Sequence, residues 1–388
     1  MKAKTPPRVA ILGAGPIGLE AALYAQALGW PVALHERGQP GENVRAWGHV
    51  KLFTPFGMNV SPLGRAALKG DAPKTALPAD DAILTGRGHH DAYLAPLAAH
   101  LGDAVHPKTT VVQVGRKGHL KEEGGPGRAK QPFRLLLRGA DNRERMEEAD
   151  LVLDCTGTYG NHRHLGDGGI PAAGELAARP HIASGLDDIL GAKAADYADR
   201  TTVVIGSGHT AATSVSLLAQ LATKHPGTWI VWLSRNLGST PLKRIVNDPL
   251  RERDALAARA NMLATRGEGH VEYHPSSVIE SVEHRGKDGF KVVATCAGTR
   301  REWEPDRVIA NVGYEPDRRL YRELQVQEDA STFAPAGLRH PEPGFLILGS
   351  KAKGRQSQFL LKEGIEQVRE AFALLAGQPG LDLYKTPR

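Results

Sequence analysis

The chain has 388 residues, 41% hydrophobic and 24% charged, with a mean hydropathy of −0.33; this is an ordinary globular composition with length for two or three domains. A net charge of +6, spread without long basic runs, points to anionic small molecules and away from nucleic acid, and no stretch approaches the roughly 18 consecutive apolar residues of a membrane-spanning helix. The opening MKAKTPPRVAILGAG passes straight into a strand without the apolar segment of a signal peptide, and two cysteines, Cys155 and Cys296, make no disulfide framework; both features point to a reducing cytoplasm.

Val9 to Leu12 is a continuous apolar run, the pattern of a parallel strand buried on both faces. Gly13, Gly15 and Gly18 follow in G-x-G-x-x-G spacing, with Pro16 and Ile17 between the last two. The first glycine permits a sharp turn, the second lets a pyrophosphate approach the backbone, and the third lets the helix pack on the strand. The Ala- and Leu-rich segment 19–28 suits that helix, whose N-terminus offers N–H groups and a positive dipole end to phosphate. Residues 31–35 form a second strand, ended by Glu36. An acid here accepts hydrogen bonds from ribose hydroxyls and disfavours a 2′-phosphate.

Residues 47–59, WGHVKLFTPFGMN, hold aromatics and a methionine with no clear period. They read either as a core-packing loop or as a wall against a ligand; Lys51, Thr54 and Asn59 are the candidate substrate-binding groups. His89 and His90 precede a helical stretch over 92–101 and read as solvated caps. No cysteine or carboxylate cluster accompanies them, nor His162 and His164, so no metal site is expected.

Residues 110–114 and 133–137 pair as a hairpin across a Gly- and Lys-rich loop, and the segment DLVLDCTG (150–157) follows. Cys155, at the end of an apolar strand, reads as buried and inert. Then the pattern repeats. Residues 202–205 form a strand, and Gly206, Gly208 and Ala211 give G-x-G-x-x-A, enclosing His209 and Thr210. A helix runs to about residue 222, and the strand WIVWL (229–233) ends in Ser234 and Arg235. A hydroxyl and a guanidinium now stand where the first unit has an acid, and Arg235 can pair with a 2′-phosphate; Lys243 and Arg244 lie nearby in sequence. A second hairpin joins 278–282 to 290–294, and DRVIANVG (306–313) matches DLVLDCTG: in both, Asp precedes Gly by seven positions. The chain therefore reads as two versions of one nucleotide-binding unit.

This pattern resembles the flavoproteins with two dinucleotide-binding domains, among them thioredoxin reductases and flavin-containing monooxygenases. The resemblance implies an α/β fold: two Rossmann-like three-layer dinucleotide-binding domains, the second inserted in the first. Residues 1–159 and 314–388 would form an FAD domain and 160–313 an NADPH domain. It implies FAD at the first turn (Gly13, Gly15, Pro16, Ile17, Gly18, Glu36, Arg37), with Val112 of the hairpin. NADPH would lie at the second (Gly206, Gly208, His209, Thr210, Ala211, Ser234, Arg235). Cys155-Thr156-Gly157 is similar to the family's A-T-G linker, and Gly313-Tyr314-Glu315-Pro316-Asp317 to its second linker. Gly349 and Ser350, then Phe359 and Leu360, resemble the turn and helix that approach the flavin, with Ser350 in place of the family's Asp; Gln356 to Gln358 belong to the same turn.

No C-x-x-C or C-x4-C pair exists, which excludes an internal redox dithiol. Thr156 to Tyr159, Asn161, Pro171 and Gly174 resemble the A-T-G-x-[YF]…P…G stretch of the monooxygenases. Of the F-x-G-x-x-x-H signature only His181 matches. The expected function is an FAD-dependent, NADPH-consuming oxidoreductase, foremost a flavin monooxygenase oxygenating a small organic substrate. One alternative is an NADPH-dependent flavin reductase that passes electrons to a disulfide, quinone or protein partner. Another is a non-enzymatic nucleotide-binding redox sensor. Expected partners are a small-molecule substrate, with neither nucleic acid nor membrane; self-association into a homodimer stays open. No catalytic side chain is identified by spacing.

Overall fold

The computed structural model describes residues 5–71, 76–332, 334–356 and 358–385. In chain order the elements that matter are β1 (Val9–Leu12), α1 (Pro16–Ala27), β2 (Val32–His35), α2 (Pro62–Asp71), α3 (Ala95–Leu101), β3 (Val105–His106), β4 (Thr110–Arg116), β5 (Phe133–Arg138), β6 (Glu144–Ala149) and β7 (Leu151–Asp154). Then come β8 (Thr201–Ile205), α4 (His209–Ala222), β9 (Trp229–Leu233), α5 (Arg251–Arg266), β10 (Val271–His274), β11 (Ser277–His284), β12 (Phe290–Cys296), β13 (Thr299–Trp303) and β14 (Arg307–Ala310). The last are β15 (Phe345–Ile347) and α6 (Leu361–Ala376). These elements divide into two compact units: one runs to Asn161 and resumes at Tyr314, and the other is His162–Gly313.

The first unit is built on a parallel sheet of order β15-β7-β1-β2-β3. Alternation along β1 explains its layers. Val9 and Ile11 face a helical core with Leu19, Leu23, Tyr24, Leu97, Val368 and Phe372. Ala10 and Leu12 face the opposite core, formed with Val114, Phe133, Leu135, Leu137 and Phe345. That second cover is the antiparallel sheet β4-β5-β6. Both faces of β1 are therefore dry, which is why its sequence is an unbroken apolar run.

The second unit repeats the plan. Its parallel sheet has the order β10-β9-β8-β14. Val204, Ile230 and Trp232 pack on Val215, Leu218, Ala260 and Leu263 of α4 and α5. Val203, Ile205, Val231 and Leu233 pack on Val282, Phe290, Val292 and Ala294 of the antiparallel sheet β11-β12-β13. Each unit is thus a helix–sheet–sheet sandwich, the Rossmann-like three-layer form.

Both antiparallel covers have three strands where the sequence pattern indicates two. The third strands, ERMEEA in β6 and TRREW in β13, are mostly solvent-facing edges with no apolar alternation, so periodicity does not mark them. Among the described residues no helix is long and apolar enough to cross a membrane.

Candidate dinucleotide sites

The carboxyl ends of β1, β7 and β15 share one edge of the first sheet, because the strands run parallel. The first glycine turn leaves β1 at this edge. Gly13 has φ +93°, and a Cβ there would lie 2.8 Å from the Cys155 carbonyl oxygen and 2.9 Å from Thr156 Cα. A Cβ on Gly18 would overlap the Gly13 carbonyl oxygen. At Gly15 the opposite holds: no atom lies within 4 Å of the Cβ position. Gly15 caps α1 and Pro16 opens it, so the first free N–H groups of the helix begin beside that open space. Ile17 turns the other way, into the core.

Glu36 ends β2 and ties it to the turn. One carboxylate oxygen accepts the Ala14 N–H at 2.8 Å and the other accepts the Gly38 N–H at 2.8 Å. Each oxygen keeps a lone pair for a further donor. Arg37 is exposed, with its guanidinium against Gly160. Val112 sits at a break in the β4–β5 register: Val111 pairs with Leu137 and Gln113 with Leu136. A residue skipped in this way does not share the ladder of its neighbours.

The linker and the C-terminal turn meet at the same edge. The Lys351 ammonium lies 2.6 Å from Asp154 Oδ2 and donates to Thr156 Oγ1 at 3.0 Å. Asp154 Oδ1 accepts from the Thr156 hydroxyl at 2.7 Å and from its N–H at 3.1 Å. Ser350 Oγ lies 3.6 Å from the position a Cβ on Gly157 would take. Gly349, with φ +76°, donates its N–H to Gln367 Oε1 of α6 at 2.8 Å. Ile17 and Phe359 close on Gly364, so α1 and α6 begin side by side. The Leu360 N–H donates to Glu363 Oε1 at 3.3 Å. Gln356 and Gln358 are exposed, and Ser357 lies outside the described residues.

The second turn copies the first. Gly206 has φ +143°, and a Cβ there would overlap the Asn311 carbonyl oxygen, as Gly13 abuts Cys155. Gly208 caps α4 and has no atom within 4 Å of its Cβ position. Ala211 stands where Gly18 does, its methyl 3.5 Å from the Cβ position of Gly206. Helix α4 opens at His209, two residues before the sequence pattern suggests, so His209 and Thr210 form its first turn, both half-buried. Three residues that the motif does not name hold the turn. Trp232 Nε1 donates to the Gly206 carbonyl at 2.8 Å, Ser214 donates to Asn311 Oδ1 at 2.8 Å, and Asn311 Nδ2 donates to the Gly185 carbonyl at 2.8 Å.

At the end of β9, Ser234 is buried and its hydroxyl accepts the Asn236 N–H at 3.1 Å, whereas Arg235 is exposed. Arg244 is held by both oxygens of Asp254, at 2.8 and 2.6 Å. Arg244, close to Arg235 in sequence, thus has an ion-pair partner of its own.

Within residues 47–59, two of the three candidate polar groups are turned inward. Thr54 and Asn59 are buried and bond each other: the hydroxyl donates to Asn59 Oδ1 at 2.7 Å, and Asn59 Nδ2 donates to the Thr54 and Pro55 carbonyls at 3.1 Å each. Lys51 is exposed and bridges to Thr85. His89 is not a solvated cap: it is fully buried and stacks on Tyr93, with ring centroids 5.7 Å apart. Burial drops its pKa to about 4, with a smaller push from His90. Beside it, the Tyr93 hydroxyl donates to buried Glu20, whose pKa is raised by burial. Nothing in residue spacing joins positions 20, 89 and 93; only the fold does. Burial likewise pushes the Cys155 thiol far up, and Cys296 lies buried in the core of the other unit. Among the described residues no group of three His, Cys, Asp or Glu could hold a metal ion.

No protein-family model matches the chain, and none of the curated proteins compared with it matches. Solved structures do. A bacillithiol disulfide reductase from Bacillus cereus is 19% identical, with a TM-score of 0.70 over 96% of this chain and 99% of that one. A cadaverine monooxygenase of desferrioxamine biosynthesis from Erwinia amylovora is 14% identical, with a TM-score of 0.67 over 97% and 95%. A thioredoxin reductase from T. acidophilum is 16% identical, with a TM-score of 0.61 over 96% and 99%. The chain shares its fold with these two reductases and this monooxygenase.

Proposed function

We propose that the chain is an FAD-dependent oxidoreductase that takes its electrons from NADPH. The observation that carries this reading is the paired turn geometry. Gly15 and Gly208 each leave open space at the first turn of a helix, while Gly13 and Gly206 are pressed on a linker strand. Two such cradles suit two pyrophosphates. On this reading the first unit holds FAD through the N-terminus of α1, Glu36, Thr156, Gly157 and Ser350. The second holds NADPH through the N-terminus of α4 and through Arg235. Bound FAD would supply electron transfer from NADPH to an acceptor. The chain's own part is to orient the two cofactors and to keep water and stray acceptors away.

The cysteines limit the route to the acceptor. Both cysteines are buried in separate cores, so no dithiol relays electrons outward. We take oxygenation of a small organic substrate as the leading outcome. One observation favours a second reading, a flavin reductase for an external disulfide, quinone or protein. His181, the single residue matching the monooxygenase signature, is exposed and stacks on His284, away from the Gly206 turn.

The test is spectroscopic and chemical. Purified protein reconstituted with FAD should turn yellow, and anaerobic NADPH should bleach it. Admitting oxygen with candidate amines, sulfides or ketones should then consume oxygen in step with an oxygenated product. Oxygen uptake that ends wholly in hydrogen peroxide moves the assignment to the reductase. Protein that takes up no flavin removes both.

A further inference from the structure

We propose that the second unit carries a separate site for a small doubly charged phosphoryl ligand, in the pocket formed by His181, Arg200, His284, Lys287, Asp306 and Arg307. The proposal does not rest on the flavin reading. The pocket has a volume of about 420 Å³ and lies at the amino-terminal edge of the parallel sheet. Arg200 and Asp306 immediately precede β8 and β14, whereas the Gly206 turn leaves the carboxyl end of β8. Five strand residues, a span of roughly 16 Å, separate the two.

The charge of the pocket suits a dianion. Three cations, Arg200, Lys287 and Arg307, face one carboxylate, Asp306. Asp306 is already engaged: Oδ2 accepts the Thr201 N–H at 2.8 Å, and Oδ1 lies 3.7 Å from Arg200. Arg307 leans on Asp196, donating to its carbonyl at 3.0 Å with the carboxylate at 3.6 Å. Lys287 has no ion pair among the described residues. It rides on a turn pressed against the strand, since a Cβ on Gly289 would lie 2.5 Å from the Pro305 carbonyl oxygen. The donors thus come from three chain segments, and Lys and Arg are the side chains that bind phosphoryl oxygens by charge-assisted hydrogen bonds.

The histidines add a responsive wall. The His181 and His284 rings stack face to face, with centroids 3.7 Å apart and planes 13° apart, and no hydrogen bond holds a nitrogen of either ring among the described residues. Loss of water, then the neighbouring His181, hold His284 below the ordinary imidazole range. The other charges beside them are occupied. Arg179 pairs with Glu175, and Arg285 pairs with Glu283 and Glu304; Asp288 is exposed beside Lys287. A phosphoryl group in the pocket would place an anion beside the stacked rings, opposing the two effects that hold His284 down.

The experiment titrates inorganic phosphate into the full chain and follows the imidazole carbon-bound proton signals by NMR, assigned with His181→Gln and His284→Gln. Both signals should move saturably, that of His284 towards its protonated position at neutral pH. The exposed pair Arg200→Gln with Lys287→Gln should weaken binding by about tenfold or more, while Arg266→Gln, elsewhere on the same unit, should leave it unchanged. Succinate should bind more weakly than phosphate. The proposal is overturned by signals that do not move, by an affinity that the double variant leaves intact, by an equal loss with Arg266→Gln, or by succinate binding as tightly.

Discussion

The Lys351 ammonium lies 2.6 Å from Asp154 in a place where both side chains are sealed from water. This pair joins the end of β7 to the turn after β15, and the same lysine reaches Thr156, on whose backbone Gly13 packs. Three segments at the edge of the first sheet are therefore pinned by one buried cation. Lys351→Met should cost about 3–5 kcal/mol, because it strands the Asp154 carboxylate in the core. Adding Asp154→Leu should restore much of that loss. Urea unfolding of both variants measures it, and a double variant as unstable as the single one removes the argument.

The glycines divide into two kinds. Gly13→Ala should lower stability by about 2–4 kcal/mol, from positive-φ strain and the clash with Cys155. Gly15→Ala has free space, so stability should stay within about 1 kcal/mol of the parent. Its FAD affinity should nonetheless fall, since the methyl fills the cradle. Gly206→Ala and Gly208→Ala should separate in the same way for NADPH. Thermal melts with cofactor titrations check all four, and intact FAD binding in a folded Gly15→Ala protein is the contrary result.

Coenzyme preference should reside in Arg235. Arg235→Ala should raise KM for NADPH by about ten- to a hundredfold and leave KM for NADH nearly unchanged. Arg244→Ala should do far less, because that guanidinium is held by Asp254. Equal effects of Arg235→Ala on the two coenzymes would take Arg235 out of the 2′-phosphate contact.

Stability should depend on pH through His89. Its pKa falls from 6.5 to about 4 on burial, so the unfolded chain binds the proton more tightly. The contribution is fully present above pH 6.5 and fades as pH drops towards 4, by about 3 kcal/mol in all. Glu20, whose pKa burial raises from 4.5, works in the opposite sense: its contribution is present at low pH and is lost as pH rises. Comparing urea midpoints of the parent and His89→Leu isolates the histidine. The variant should lose less stability between pH 7 and pH 4.5, and parallel pH curves would contradict the assignment.

Asn59→Ala should reduce stability by about 1–3 kcal/mol, because it leaves the buried Thr54 hydroxyl and two carbonyls short of partners. Turnover per folded molecule should not change. A large fall in kcat with unchanged stability would return Asn59 to the substrate site.

Some of this molecule was legible from residue order alone. A buried parallel strand is apolar throughout, a pyrophosphate turn needs glycine at fixed offsets, and the unit recurs with G-x-G-x-x-A. These constraints are local, so β1, α1, β8 and α4 could be placed, with the duplicated plan, by reading along the chain. What the fold alone decided are contacts between distant positions. Glu342 clamps Arg116 and Arg128 in a buried triad, Lys351 finds Asp154, and Trp232 reaches back to the turn at Gly206. No periodicity records such pairs, because a buried charge or an indole N–H is satisfied by whatever the packing brings to it. For the same reason the sequence could name Thr54 and Asn59 as polar groups in an aromatic loop, but only tertiary structure could turn them on each other.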